Sequence, residues 1–137
     1  MLSMKAKYAL RALMVLARNE KRMLQIKTIA KEADVPQKFL EAILVELKNH
    51  GLVASKRGIL GGYFLAKPAA DINLGGVIRI VDGPLAPIRC ASLTAYQKCD
   101  DCEDEKTCAI RKTMLEVRHA IADVLDNKSI KELIQKK

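Results

Sequence analysis

The 137-residue chain contains no tryptophan, and its aromatics are limited to three Tyr and two Phe. Any core must therefore be aliphatic, built from Leu, Ile, Val, Ala and Met, and with half the residues apolar a core is attainable at this length. Long hydrophobic runs are missing as well. Arg or Lys interrupts every apolar stretch well short of the ~20 residues that a membrane span needs. The first residues, MLSMKAKYALRALMVLA, have a basic start but no convincing cleavage site, and their apolar positions recur with a helical period. They read as a structural helix rather than a signal peptide, which makes the cytoplasm the expected location and reduced thiols the expected state of the cysteines. Histidine is limited to His50 and His119, both far from the cysteines in sequence, so no nucleophile–base pair can be discerned and an enzyme is not expected.

Cysteine is absent everywhere except residues 90–108, where CASLTAYQKCDDCEDEKTC places four thiols among five carboxylates. Charge is as unevenly distributed as sulfur. Residues 1–67 hold 13 Lys and Arg against 5 Asp and Glu, and residues 68–137 hold 11 of each, so the whole net charge of +8 lies in the N-terminal half. A polyanion partner for that half, or a plain solubilising excess, would account for this.

Apolar residues at Ala6, Ala9, Leu10, Leu13, Met14 and Ala17 predict a first helix over 3–18, with Lys5, Lys7, Arg11 and Arg18 largely off its stripe. A connector at 19–24 leads to a short helix from about Thr28 to Ala33, with Ile29 and Ala30 inward. Pro36 disfavours helical geometry at Val35 and suits a helix start, so one helix stops and another begins within a few residues. The new helix, 36–49, is expected to bury Phe39, Leu40, Ile43, Leu44 and Leu47, to leave Gln37, Lys38, Glu41, Ala42, Val45 and Lys48 outward, and to end at a left-handed Gly51. Two short helices joined by a tight turn make a helix-turn-helix pattern. Strand-like segments at 52–56 and 62–66, separated by Arg57-Gly58-Ile59-Leu60-Gly61, add a β-hairpin wing with Lys56 and Arg57 at the mouth of its turn. A phosphate-binding loop would need Gly-Lys-Ser/Thr opening a helix, whereas Gly61-Gly62 opens a strand.

Residues 74–82 predict another short helix, ending at Gly83-Pro84. From Thr107 a long helix runs to Leu125 with one stripe of Ile110, Met114, Val117, Ile121, Val124 and Leu125, and Ser129 caps a last short helix. The long stripe has little nearby core to cover, so pairing with a second copy of the chain is the expected use, with folding back over its own domain the alternative. The fold class is thus mainly α with a small β-hairpin: a winged helix-turn-helix domain over 1–83, a cysteine-rich loop over 84–108, and a dimerisation helix with a C-terminal helix over 109–137.

The spacing Cys90-x8-Cys99-x2-Cys102-x5-Cys108 suits tetrahedral thiolate coordination, whether of zinc or of an iron–sulfur cluster. Cys108 falls near the start of the long helix, whose dipole favours an anionic ligand. Metal-free thiols that switch through a reversible disulfide, or that do not switch at all, are the remaining reading. His119 lies ~16 Å along the helix axis from Cys108, and His50 ends the second short helix, so neither is expected as a ligand.

KAKYALRAL at 5–13, IKTIAKEADVPQKFLEAILVEL at 26–47, LVASKRGILGGYFLAKPA at 52–69, and cysteines ahead of a long helix together resemble the IscR/NsrR/RirA-type winged helix-turn-helix transcriptional regulators. The most specific piece is Arg57-Gly58-x-x-Gly61-Gly62-Tyr63-x-Leu65. The resemblance covers nearly the whole chain and implies a DNA-binding homodimer whose long helices pair, with two winged heads on two half-sites of a double-stranded operator. Within that picture Gln37, Lys38 and Glu41 would read base edges in the major groove. Thr28, Lys48 and Lys5 would hold phosphates. Lys56 and Arg57 would act from the wing, Arg57 in a narrow minor groove, with Gly61 and Tyr63 of the same motif beside them. Cluster-binding relatives use three loop cysteines, matched here by Cys90, Cys102 and Cys108. Their fourth ligand is either an acidic residue near the partner's N-terminus, where this chain reads Met4-Lys5-Ala6-Lys7-Tyr8, or a histidine where it has Arg111. Neither is present, and Cys99 is the expected replacement. The resemblance thus implies an iron–sulfur cluster, with zinc as the alternative cofactor. A relative controlled by a protein or small-molecule partner is the other functional alternative.

Overall fold

The computed structural model describes residues 2–135. Met1, Lys136 and Lys137, the outermost residues of the first and last expected segments, lie outside the described residues. Six α-helices and one hairpin follow in the order α1 (Met4–Arg18), α2 (Ile26–Ala33), α3 (Gln37–Asn49), β1 (Val53–Lys56), β2 (Gly62–Leu65), α4 (Leu74–Asp82), α5 (Ala109–Leu125) and α6 (Ile130–Gln135), with short 3-10 turns at Ala69–Asp71, Arg89–Ala91 and Glu105–Thr107.

Helix α1 is the hub. It packs against α2, α3, α4, α6 and β2. Its buried face is wider than the single stripe expected from periodicity: Ala12, Val15 and Leu16 are buried with Ala6, Ala9, Leu13 and Ala17, whereas Leu10 and Met14 are half-buried. A helix surrounded on several sides buries more than one stripe, and its alanines let neighbouring backbones approach closely. Ser3 caps its start by accepting from the Ala6 N–H at 3.0 Å. The first turn has no acidic residue of its own. Asp82, at the end of α4, supplies the charge instead, accepting from the Ser3 N–H at 3.0 Å and from its hydroxyl.

Helix α2 begins at Ile26, about two residues before the expected Thr28, which therefore sits in its first turn with its N–H on the Gln25 carbonyl at 3.0 Å. Ile29 is buried as expected, but Ala30 only half so. The chain reversal between α2 and α3 is made by Asp34, which caps α2 in the left-handed conformation at φ 55°. Asp and Asn tolerate that region better than most residues. Pro36 stands one residue ahead of α3, whose buried face is Leu40, Ile43, Leu44 and Leu47. Phe39, expected in the core, is 60% exposed. It falls just off that face and lies against Tyr8 of α1, ring centroids 6.5 Å apart. Gly51 takes φ +76° beyond the end of α3, as expected.

Strands β1 and β2 are antiparallel, with Val53 opposite Leu65 and Lys56 opposite Gly62. A third segment, unanticipated from sequence, joins them. Leu24 exchanges two backbone hydrogen bonds with Tyr63 at 2.9 and 2.8 Å. A Cβ on Gly62 would lie 2.5 Å from the Leu24 carbonyl oxygen, so the closeness of this third segment requires glycine there.

The C-terminal half is tied on by a few polar links. Leu74 N–H donates to the Lys128 carbonyl and Ile130 N–H to the Ile72 carbonyl, both at 2.9 Å. Ser129 caps α6, accepting from the Glu132 N–H at 3.2 Å, and Ile130 is fully buried. Helix α5 is shorter than expected because residues 105–107 form a separate 3-10 turn. Only its Ala122 is buried. Ile110, Val117 and Val124 are 67%, 38% and 57% exposed, so within one chain its apolar stripe is largely uncovered.

Arg79 of α4 grips Asp126 at the end of α5 with two hydrogen bonds of 2.7 and 2.9 Å. The space for this pair comes from Gly75, where a Cβ would stand 1.9 Å from an Asp126 carboxylate oxygen. The hydrogen bonds from Arg79 hold the Asp126 carboxyl below its ordinary range, against the opposing effect of desolvation. A carboxylate with a depressed folded-state pKa contributes stability above its unfolded pKa, and that contribution disappears as pH falls through the folded value. Asp126→Asn is therefore expected to lower stability by ~0.5–1 kcal/mol at neutral pH, a figure reduced for solvent screening of this partly exposed pair. Urea denaturation at pH 7 and again below pH 3 should show the gap between variant and parent closing at the acidic end.

Candidate nucleic-acid interface and cysteine loop

The solvent face of α3 presents Lys38, Glu41, Ala42, Val45 and Lys48, with Gln37 half-buried at its first turn. These are the outward positions expected from the helical period, and burial of Leu40, Ile43, Leu44 and Leu47 against α1 and the wing fixes which face turns out. Lys48 Nζ donates to Ser55 Oγ of β1 at 2.7 Å, fastening the end of α3 to the wing. Thr28 is exposed on α2. Lys5 is not a free cation: its Nζ lies 2.8 Å from a Glu46 carboxylate oxygen. Lys56 and Arg57 are both exposed at the wing. Gly61 is buried, and a Cβ there would fall 2.0 Å from the Lys56 carbonyl oxygen, so its part is to let the turn close. Tyr63 is half-buried, its backbone spent on the Leu24 bridge.

The cysteine loop lies between α4 and α5. Cys90 is buried in the 3-10 turn at Arg89–Ala91, Cys102 and Cys108 are half-buried, and Cys99 is exposed; all four are free thiols. The stretch following Cys90 closes on itself. Ser92 Oγ accepts from Ala95 N–H at 2.9 Å, and Arg89 donates to Gln97 Oε1 at 2.6 Å. Cys102 N–H donates to the Cys99 carbonyl at 3.2 Å, a turn within the C-x2-C segment. Cys108 is the N-cap of α5, its Sγ accepting from the Arg111 N–H at 3.4 Å. Arg111 also reaches back, donating from Nε to the Cys90 carbonyl at 3.0 Å. Glu105 lies 3.9 Å from the Arg111 guanidinium and accepts from Tyr96 OH. Arg111 thus links the first and last cysteines, its backbone N–H to Cys108 and its side chain to Cys90, a link that the sequence offered no signal for.

The thiols sense one another. A hydrogen bond with Cys90 pushes the Cys99 thiol above its usual range, with desolvation and the charges of Cys90, Asp101 and Cys108 adding to it. Cys102 is raised mainly by desolvation, then by Cys108, Cys99 and Glu105. Neighbouring anionic groups disfavour thiolates here, and a bound cation would reverse that preference. Among the described residues no group of three or more His, Cys, Asp or Glu side chains is already arranged to hold a metal ion. The chemistry of the donor set nonetheless fits one, since the loop carries four free thiols, the soft donor type that zinc and iron–sulfur clusters take. His50 is engaged elsewhere, its Nδ1 3.0 Å from the Glu46 carbonyl, and His119 is exposed on α5 beside Arg118.

The family described as Rrf2, iron-dependent transcriptional regulator, matches residues 2–136. The chain belongs to the Rrf2 family. An rrf2-like HTH-type transcriptional regulator of Rhodobacter capsulatus is 42% identical over 138 residues, covering 98% of this chain and 92% of that one. The structure of CymR, the global cysteine regulator of B. subtilis, is similar at a TM-score of 0.79 with 29% identity, over 98% of this chain and 96% of that one. T. potens IscR is similar at a TM-score of 0.76 with 26% identity, over 98% and 86%. Rrf2 proteins are transcriptional regulators rather than enzymes, and the winged helix-turn-helix fold expected from the sequence is the fold they share. Among the described residues no helix of this Rrf2 chain is long and apolar enough to cross a membrane.

Arg57 sits exposed beside the wing turn with no protein partner required for the turn's geometry. Arg57→Ala is expected to weaken binding to a cognate duplex by ~1–3 kcal/mol while leaving the melting temperature unchanged. A gel-shift titration with equal affinity for the two proteins would remove the wing arginine from the interface.

Proposed function

We propose that the chain is a homodimeric DNA-binding regulator whose operator affinity is set by the state of its four-cysteine loop, with an iron–sulfur cluster as the cofactor. The observation that carries this reading is that four free thiols share one loop whose ends are tied together, where Cys108 caps α5 and Arg111 of α5 holds the Cys90 carbonyl. The family's printed description, iron-dependent transcriptional regulator, supports it. Cys90, Cys99, Cys102 and Cys108 would be the ligands. When bound, a cluster supplies a redox-active centre that ties four loop positions together at once; zinc would tie the same positions without redox chemistry of its own.

In this reading the chain has three working parts: residues 1–83 bind DNA, 84–108 sense, and 109–137 dimerise. Gln37, Lys38 and Glu41 read base edges, Thr28 and Lys48 hold phosphates, and Lys56 and Arg57 act from the wing. Lys5 contributes to phosphate binding only by exchanging Glu46 for DNA. The exposed stripe of Ile110, Val117 and Val124 pairs with its copy, and two heads hung on one pair of long helices set the half-site spacing. The coupling is local. Loosening residues 90–108 removes the Cys108 cap and the Arg111–Cys90 hydrogen bond, and the start of α5 shifts relative to α4. Control by a protein or small-molecule partner is the outcome left if DNA binding ignores the state of the loop.

A second reading, a metal-free thiol switch, draws on the influence of Cys90 on the Cys99 thiol. There two thiols would form a disulfide by losing two protons and two electrons to an oxidant such as peroxide. The printed family description, iron-dependent transcriptional regulator, favours the cluster over the metal-free switch. Anaerobic purification followed by metal and acid-labile sulfide analysis separates the two. Iron with sulfide and visible absorbance is expected; a colourless protein with one zinc per chain, or none, overturns the cluster. Cys102→Ala is further expected to shift operator affinity relative to the loaded parent by about tenfold, corresponding to ~1.4 kcal/mol. Identical affinities would make the loop merely structural.

A further inference from the structure

The wing ends in two aliphatic side chains that nothing covers. Ile59 is 91% exposed and Leu60 88%, more than any other large apolar residue among those described. They are not on a loose loop. Gly61 N–H donates to the Gly58 carbonyl at 3.0 Å, placing Ile59 and Leu60 at the two central positions of a closed turn. Gln25, the cap residue of α2, donates from Nε2 to the Ile59 carbonyl at 3.2 Å and braces the tip against the helix-turn-helix unit. The bare Cα of Gly61 lets the chain pass tight against the Lys56 carbonyl. A tight turn leaves its central side chains pointing outward, and here those positions hold the two residues that lose most by meeting water. Lys56 and Arg57 stand directly beside them, exposed, in the half of the chain that holds the whole net charge of +8.

A narrow ribbon with an aliphatic tip beside two cations matches the minor groove of duplex DNA, where phosphates line both rims and sugars form apolar walls. Two side chains are far too little surface for a protein partner of ordinary interface size. We propose that Ile59 and Leu60 are specificity-determining residues that enter the minor groove and select A·T over G·C pairs beneath the wing. The physical basis is the guanine 2-amino group, the one donor that distinguishes G·C from A·T on that side. Both pairs present acceptors on the groove floor that lose water alike, and G·C adds the amino group, so aliphatic side chains pressed there strip water from one more polar group and offer it no acceptor. The cations beside the tip add affinity along the backbone, and the tip adds the discrimination.

This proposal rests on the DNA-binding reading of the wing, and base chemistry can separate the two. The full chain selects its site from a randomised duplex pool, and hydroxyl-radical protection locates the pairs under the wing. Those pairs are then made A·T, G·C or inosine·C. Inosine·C presents the major-groove face of G·C but lacks the 2-amino group. Wild-type protein should bind the A·T and inosine·C duplexes alike and the G·C duplex about tenfold more weakly. The Ile59→Ser, Leu60→Ser double variant, altered only at exposed positions, should lose most of that gap. If inosine·C behaves as G·C does, or if the variant keeps the gap, the tip does not read the groove. Uniformly weaker binding of the variant to all three duplexes would make the tip a non-selective contact and likewise overturn the proposal. So would unchanged DNA binding by a variant that no longer self-associates in sedimentation, which would assign the tip to protein contact. Failure of the wild type to select any duplex would sink the DNA-binding reading itself, and the proposal with it.

Discussion

Burial of α1 is the constraint on which the rest of the molecule depends. One fifteen-residue helix with Ala6, Ala9 and Ala12 at zero exposure forms the common wall for α2, α3, α4, α6 and β2. Small side chains on a central helix let several elements approach it at once, and each element is then oriented by the one face it must bury. The outward face of α3 follows from this, because Leu40, Ile43, Leu44 and Leu47 are committed to the core. The wing is placed by the same logic through Leu52, Val53 and Leu65. The domain supplies a rigid mount for a recognition helix and a wing without a single tryptophan.

The cysteine half of the chain is built on opposite physics. It has few buried apolar residues, and polar links hold it: Arg79 to Asp126, Arg111 to the Cys90 carbonyl, and Cys108 to the start of α5. Segments with little hydrophobic burial have low local stability and respond to small changes in charge or ligation. A loop made this way yields readily to changes around it for the same reason that it is unsuited to supporting a core. Buried Cys90 and exposed Cys99 bracket the range of environments that one loop offers its thiols.

Much of this organisation was legible in the residues. The helical periods over 3–18, 36–49 and 107–125, the glycine-punctuated hairpin and the sequestration of all positive surplus before residue 68 point to a basic winged domain and a separate thiol-rich appendage. The failures have specific causes. Phe39 was expected inside because it is the largest apolar side chain near the buried face of α3, yet it lies just off that face and packs on Tyr8 instead. The start of α2 was placed late because Gln25 caps it without a side-chain hydrogen bond, leaving no capping signal to read. The turn after Ala33 was attributed to Pro36, while Asp34 takes the left-handed conformation. In the cysteine loop the residue types and spacing are plain from the sequence, but which thiol is buried and which is exposed is not, since that depends on where residues 89–97 fold.

The sequence by itself determined the elements, the charge division and the donor chemistry, because these follow from local periodicity, composition and turn residues. Tertiary structure alone decided the long-range partners. Asp82 completes the start of α1 from 79 positions away. Leu24 adds a bridge to the wing that makes Gly62 obligatory. Gln25 braces the turn that presents Ile59 and Leu60 to solvent. Such contacts join residues distant along the chain, and nothing in their local sequence encodes the partner; it is set by how burying one helix face brings the remaining elements together.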